Sequence, residues 1–234
     1  MGKRIIQQAR GHGSLTYRVR KSAFRHKIKY PRKNIEGEAE IVKIFNSPGH
    51  SAPLMKIKIS EEVFYSPAFK GAFEGQKIII GGKKIEDGNI LNLKEMPLGT
   101  KIYNIESRPG DGGKFIRTAG SSAIINKKSE KGIIVIMPSK KEKIINEKCR
   151  ATVGTIAGHG QKEKPVIKAG KKYYIKKSKS KLWPRTSAVK MNVIDHPFGS
   201  GRGKRIKSKI AKRNSPPGKK VGLIRPRRTG RKKR

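Results

Sequence analysis

The stretch Asp195-His196-Pro197-Phe198-Gly199 contains the residue best suited to acid–base chemistry. A histidine near its ordinary pKa exchanges protons close to neutral pH. Catalysis would also need a nucleophile or an orienting group within hydrogen-bonding reach, and Asp195, as the adjacent residue, is poorly placed to face the ring. Neighbouring cations should lower the pKa of His196 and favour a neutral imidazole. The pattern favours a loop-shaping or contact role over catalysis and predicts that the chain is not an enzyme.

Two glycine-rich stretches invite comparison with phosphate-binding loops, which end in Gly-Lys followed by Ser or Thr. Here Gly113-Lys114 is followed by Phe115, and the stretch from Gly199 to Lys204 is followed by Arg205. Neither stretch therefore predicts nucleotide hydrolysis. The first can instead leave room for Arg117 to hold a phosphate.

Asp195 is the only acidic residue in residues 164–234. We expect its carboxylate to stabilise an Asx-type turn at the His-Pro corner. The alternative is contact with a base amino group or with a water molecule bound to Mg²⁺.

Aromatic residues are interleaved with lysines in residues 171–183. Trp183 is the sole tryptophan, and Tyr173-Tyr174 lies between two Lys-Lys pairs. Such interleaving is typical of RNA contacts, where an aromatic ring stacks on an unpaired base. A place in a protein core is the equally weighted alternative for Trp183 and for one of the two tyrosines.

Cysteine and histidine usage points away from metals and disulfides. The chain has one cysteine, Cys149, and its other histidines, His12, His26, His50 and His159, lack the spacing of metal ligands. We therefore predict no cofactor and a reducing, cytoplasmic compartment.

Charge divides the 234 residues into three parts. Lys and Arg number 58 against 16 Asp and Glu, a formal net charge of +42. Residues 1–35 carry 11 basic and no acidic residues, residues 36–158 carry 20 and 14, and residues 159–234 carry 27 and 2. Because such a charge repels itself unless a polyanion surrounds it, nucleic acid is the expected partner. We find no apolar run or amphipathic helix that would favour a membrane.

The two basic ends should be extended arms that order on meeting a polyanion. Gly and Pro recur through the last 36 residues. Glycine permits close approach and proline stiffens an extended path, a combination that suits threading between RNA helices.

The middle alternates short apolar runs with turn signals, which predicts roughly ten strands in small barrels. The predicted strands are 38–45, 55–60, 76–80, 83–85, 89–93, 101–105, 114–126, 132–137, 143–147 and 151–157. Gly81-Gly82 is read as a hairpin turn. Breaks near Pro97 and Pro109 favour two barrels in tandem, and a short helix is expected over 171–178.

Several motifs resemble those of the L-two family of large-subunit ribosomal proteins, over nearly the whole chain. The most specific runs from Trp183-Pro184-Arg185 through Asn192 to Asp195–Gly199. The others are Gln7–Ser14, Pro48–Leu54, Pro109–Lys114 with Arg117–Gly120, and Cys149–Gly154. The ending, residues 220–231, is similar to the archaeal and eukaryotic branch, and the lack of a further tail favours an archaeal source. The family usually has three consecutive glycines where Ser200 interrupts here, and we expect serine to keep the loop's path.

The resemblance implies an OB-like barrel followed by an SH3-like barrel, with long basic N- and C-terminal extensions. It places the extensions at residues 1–36 and 179–234 and the barrels at 37–98 and 99–178. It also implies binding to large-subunit rRNA, neighbouring ribosomal proteins as partners, a bridge to the small subunit, and a role in shaping RNA around the peptidyl-transfer centre.

Expected RNA contacts are cationic, aromatic and polar side chains of the arms and motifs. They are Arg10, His12, Lys114, Arg117, Arg150, Lys181, Trp183, Arg185, Asn192, His196, Arg202, Lys204, Arg205, Lys219, Lys220, Arg225, Arg227 and Arg228. Mg²⁺ would enter only with the RNA. The alternative is a non-ribosomal OB-type nucleic-acid-binding protein, which explains the charge and one barrel but not two barrels with arms at both ends.

Overall fold

The computed structural model describes residues 2–32, 35–161, 163–204 and 210–226. The chain divides into two compact units, Arg20–Ile167 and Met1–Val19 with Lys168–Arg234. Each unit is described by itself below.

The unit Arg20–Ile167 is built on one ten-stranded sheet, so the prediction of a mainly β chain is confirmed. Its strands are β1 Gly37–Phe45, β2 Leu54–Ile59, β3 Glu62–Pro67, β4 Lys77–Ile80, β5 Ile90–Asn92, β6 Lys101–Tyr103, β7 Ala123–Ser129, β8 Gly132–Ile136, β9 Glu142–Ile145 and β10 Arg150–Val153. Single 3₁₀ turns lie at Lys21–Phe24, Leu93–Glu95 and His159–Gln161.

The strand order is β3-β2-β1-β4-β5-β10-β6-β7-β8-β9. Neighbours are antiparallel except β4 and β5, which meet in parallel at Ile80 and Ile90. The predicted hairpin at Gly81-Gly82 is therefore wrong, and residues 83–85 form no strand. The side chain of Asn89 explains the difference: its oxygen accepts from the Ile79 N–H at 2.8 Å and its amide donates to the Lys84 carbonyl at 3.0 Å.

Two further strand predictions need correction. β3 was not predicted, although it pairs with β2 along its whole length. The predicted strand 114–126 is a strand only from Ala123, and before that a single bridge joins Phe115 to Ile105.

Two hydrophobic cores share the central strands. Ile90 lies in a core with β1 to β4, whereas its neighbour Leu91 lies in a core with β7 to β9. Tyr103 and Ile102 of β6 divide in the same way. Because successive side chains of a strand point to opposite faces, one strand can serve both cores. The domain bounds given above stay predictions.

The other unit is mostly irregular. It contains helices α1 Ile6–Gly11 and α2 Ala169–Ser178, a 3₁₀ turn Ala188–Lys190, and the parallel pair β11 Ile210–Ala211 and β12 Leu223–Ile224. The helix expected over 171–178 is thereby confirmed. Among the described helices, none has the length and apolar character needed to cross a membrane.

Both chain ends contribute to this unit. The Lys3 N–H donates to the carbonyl of Ile194 at 2.8 Å. Among the described residues of the unit, the buried hydrophobic side chains are Ile5 and Ala211. So small an apolar core cannot offset the entropy of ordering the segment, roughly 1–2 kcal/mol per residue for the backbone alone.

Candidate nucleic-acid interface

A buried carboxylate fixes the loop Pro109–Gly113 in the sheet-bearing unit. Glu106 is 0% exposed, and its carboxylate lies 3.1 Å from Nη2 of Arg150. It also accepts from the backbone N–H groups of Gly110 and Gly112, both at 3.1 Å. A buried charge needs a partner and further hydrogen bonds, and Glu106 has both. The loop is therefore held from inside.

Arg117 faces inward from the same loop region. It is half-buried, and its Nε donates to the side-chain oxygen of Asn104 at 2.9 Å. Its Nη2 donates to the carbonyls of Ile28, at 3.2 Å, and Gly113. Burial lowers the pKa of Arg117 from its usual range. The guanidinium group thus holds backbone carbonyls, while the next cation towards the N-terminus, Lys114, is exposed.

Residues 28–31 are held by the same network. The hydroxyl of the buried Tyr30 donates to the Asn104 carbonyl at 2.8 Å and is hydrogen-bonded to Thr152 Oγ1 at 2.6 Å. Burial raises the pKa of Tyr30 above its usual range. Nη2 of Arg150 donates to the Pro31 carbonyl at 2.9 Å. The structure therefore gives Arg150 an intramolecular role.

In the other unit, aromatic rings and lysines form a patch. Lys172 Nζ lies 5.6 Å from the ring centroid of the half-buried Trp183, and Lys177 Nζ lies 5.6 Å from that of Tyr173. Tyr173 and Tyr174 meet edge to face with centroids 5.5 Å apart. Tyr174 is 68% exposed, so its ring is open to a stacking partner.

Hydrogen bonds between residues of the turn itself hold the turn at His196. The Phe198 N–H donates to Nδ1 of His196 at 3.1 Å, which leaves the proton of a neutral ring on Nε2. Burial lowers the pKa of His196 and favours that neutral form. The Asx-type bond expected of Asp195 is made instead by Asn192, whose side-chain oxygen accepts from the Ile194 N–H at 3.3 Å. Asn192 therefore takes the role expected of Asp195, and Asn192 and His196 together shape this turn.

Ser200 lies between Gly199 and Gly201 and interrupts the three consecutive glycines that the resemblance implies. Its φ is 64°, in the left-handed region that favours glycine, and its N–H donates to the Met191 carbonyl at 3.1 Å. Gly199 beside it cannot take a side chain, because a Cβ would lie 2.4 Å from the Asn192 carbonyl oxygen. Serine therefore adopts a glycine-like conformation at this position.

Most of the predicted contact residues are exposed. In the less regular unit these are Arg10, His12, Lys181, Arg185, Asn192, Arg202, Lys204, Lys219, Lys220 and Arg225. Trp183 and His196 are half-buried. Arg205, Arg227 and Arg228 lie outside the described residues. RNA contact stays a prediction for every one of these side chains.

Comparison with known proteins decides the family. A family model described as "Ribosomal Proteins L2, C-terminal domain" matches residues 86–218. This chain belongs to the L2 family of ribosomal proteins. A relative from Korarchaeum cryptofilum, "Large ribosomal subunit protein uL2", is 41% identical over 240 residues, covering 100% of this chain and 98% of the relative. Proteins of the same name from Metallosphaera sedula and Archaeoglobus fulgidus are each 42% identical, covering 100% and 98% of this chain and 100% and 99% of the relatives.

Membership of the L2 family makes the chain a structural constituent of the large subunit of the cytoplasmic ribosome, and not an enzyme. The archaeal-type match confirms the resemblance seen in the sequence. The non-ribosomal alternative is thereby set aside.

The sequence motifs missed two features of this L2-family protein. Glu106 was not singled out, although it is an acid just before the Pro109–Gly113 loop. The sequence assigns the cations Lys27, Lys29 and Arg32 to an extended arm that orders on meeting a polyanion, whereas the backbone of residues 29–31 is hydrogen-bonded within the sheet-bearing unit. The sequence signal for this attachment to the sheet is the alternate spacing of Ile28 and Tyr30, which are both buried.

Proposed function

We propose that this protein binds large-subunit rRNA, and that its basic terminal segments are ordered by phosphates of that RNA. The observation that carries the proposal is the near-absence of an apolar core in the unit of the two chain ends, where Ile5 and Ala211 are the buried hydrophobic residues among those described. Hydrophobic burial contributes only about 1.5–3 kcal/mol per large side chain. A polyanion supplies the missing stabilisation, because each Lys or Arg that meets a phosphate releases counterions.

Through this binding, we propose that the protein shapes RNA around the peptidyl-transfer centre and supports association with the small subunit through an intersubunit bridge. Neighbouring ribosomal proteins are its other partners. The exposed cations and the aromatic rings of Tyr174 and Trp183 support RNA contact, since basic side chains position the RNA backbone and rings stack on unpaired bases.

Sucrose-gradient fractionation at low and high salt tests the proposal. We expect the intact chain to stay with large subunits in strong salt, because cations enclosed by RNA do not exchange as surface cations do. Deletion of residues 185–234 should abolish incorporation. Replacing Lys127 and Lys131, two exposed lysines of the β7–β8 hairpin, with alanine is the control and should leave incorporation intact. An intact chain that washes off subunits in moderate salt, or binds equally well after ribonuclease treatment, contradicts the proposal.

A further inference from the structure

A groove of about 740 Å³ lies beside β3, one of the two edge strands of the ten-stranded sheet. One wall is residues 27–32, another is the β3 segment 62–65, and Pro109-Gly110 closes it. We call this the edge groove. Its volume lies within the roughly 300–1,000 Å³ typical of ligand sites.

The charge of the edge groove favours an anion. Its lining includes four cations, Lys27, Lys29, Arg32 and Arg150, and one carboxylate, Glu62. Arg150 is neutralised by Glu106, which leaves three exposed cations against one acid. The remaining positive charge is suited to phosphates.

The groove also contains a partly exposed aromatic ring. Tyr65 is half-buried, and its ring is held by His26 at a centroid distance of 4.6 Å and by Phe45 at 6.0 Å. A partly exposed ring, on a strand that lines the groove, suits stacking with a base. Glu62 can accept a hydrogen bond from a base amino group or a 2′-hydroxyl.

The cationic wall is fixed before any ligand arrives. The Lys29 N–H donates to the Tyr65 carbonyl at 3.2 Å, and the Tyr30 N–H donates to the Gly112 carbonyl at 3.2 Å. Arg150 holds the Pro31 carbonyl, as described above. Because the backbone is already ordered, binding loses less entropy than it would on a free arm.

We propose that the edge groove binds a single-stranded segment of RNA, with phosphates at Lys27, Lys29 and Arg32 and an unpaired base against Tyr65. This inference rests on the proposed rRNA binding and adds a defined site whose RNA-contacting residues, Lys27, Lys29, Arg32 and Tyr65, are not among the predicted contacts. Lys27, Lys29 and Arg32 differ from the exposed cations of the terminal segments because their backbone is already held against the sheet.

The test uses the purified full chain and purified large-subunit rRNA as the probe. The salt dependence of the dissociation constant is measured for the intact chain and for Lys27→Ala/Arg32→Ala. Loss of two single-strand phosphate contacts should reduce the slope of log affinity against log salt by about 1.4. Lys127→Ala/Lys131→Ala removes the same charge from exposed positions elsewhere and should leave the slope unchanged. Circular dichroism of both variants verifies that the sheet is intact.

Ultraviolet crosslinking of the intact complex provides a readout independent of affinity. We expect a nucleotide adduct on the peptide that contains Tyr65, and its loss in Tyr65→Leu. If the intact chain binds rRNA but the two double variants have equal slopes and no adduct maps to residues 62–65, the edge-groove proposal is wrong while rRNA binding stands. If the intact chain does not bind rRNA at all, the proposed function itself fails.

Discussion

Glu106 and Arg150, 44 residues apart in the chain, are joined through side chains and backbone: the Glu106 carboxylate accepts from the Arg150 guanidinium and from its backbone N–H at 2.9 Å, and the Glu106 N–H donates to the Arg150 carbonyl at 3.0 Å. The same carboxylate holds the loop backbone at Gly110 and Gly112. One buried side chain thus connects the start of β10, the loop and, through Arg150, the Pro31 carbonyl. Several parts of the RNA-facing surface proposed above depend on this connection.

Glu106→Gln should destabilise the sheet-bearing unit by about 3–5 kcal/mol, because it leaves Arg150 buried without a counter-charge. Equilibrium urea unfolding of the full chain, followed by circular dichroism, measures the loss. Glu38→Gln is the matched control: its ion pair with Lys77 is exposed, with 68% and 76% of the two side chains accessible. That variant should change stability by less than about 1 kcal/mol. Equal effects in the two variants would show that the buried pair has no special role.

Gly113→Ala should destabilise the chain more than Gly99→Ala. Both glycines have a left-handed φ, +87° and +81°, so both variants carry the same backbone strain. At Gly113 the new Cβ would also lie 2.5 Å from the Asn104 carbonyl oxygen, whereas at Gly99 it meets open space. Thermal unfolding of the two variants measures the difference, which reports the close approach of the loop to β6. Matching midpoints would mean that the loop can move away freely.

Stability should fall as the pH drops below about 6.5, the ordinary pKa of histidine. Burial is the largest cause that lowers the pKa of His50, and the charge of Arg117 is the second. Between the lowered pKa and 6.5, the folded state therefore binds fewer protons than the unfolded state. Stability therefore rises with pH through the window and is lost on acidification. Urea unfolding of the full chain at a series of pH values measures the slope. His50→Gln should reduce the slope of stability against pH. If the variant keeps the slope of the intact chain, His50 is not the source of the pH dependence.

His196→Ala should weaken subunit assembly or subunit joining while leaving peptide-bond formation in assembled ribosomes nearly unchanged. The reason is the lost acceptor for the Phe198 N–H, which opens the turn. His196→Asn supplies an oxygen near the position of Nδ1 and should restore much of the assembly. Gradient profiles measure assembly, and a single-turnover assay measures the chemical step. A thousandfold slowing of that step in fully assembled His196→Ala ribosomes would contradict the structural role.

Local patterns predicted much of the fold. The alternation in residues 55–60 predicted β2, and the helix expected over 171–178 lies within α2. The segment Glu62–Pro67 was missed because it follows β2 after a turn of two residues and ends in proline, which weakens its strand signal. The parallel contact of β4 with β5 depends on the side chain of Asn89, which no local pattern reveals.

The sequence predicts the exposed cations of the candidate interface better than its inward-facing arginines. Exposed lysines and arginines of the terminal segments follow from composition, since charge without apolar residues stays on the surface. The inward roles of Arg117 and Arg150 do not follow, because their partners Asn104, Ile28 and Glu106 are distant in sequence. The same holds for the edge groove, whose walls come from three separate segments.

The pairing of β5 with β10 sets an order of events during synthesis. Ile90 and Leu91 pair with Thr152 and Ala151, and Phe69 of the first core bridges to Ile156. The first core therefore cannot close when its own strands have been translated. It must wait for roughly sixty more residues, which takes about 3–12 s at 5–20 residues per second. During that interval the nascent chain exposes isoleucine-rich strands next to its basic N-terminal segment. Early contact with RNA or a chaperone would protect these strands from aggregation.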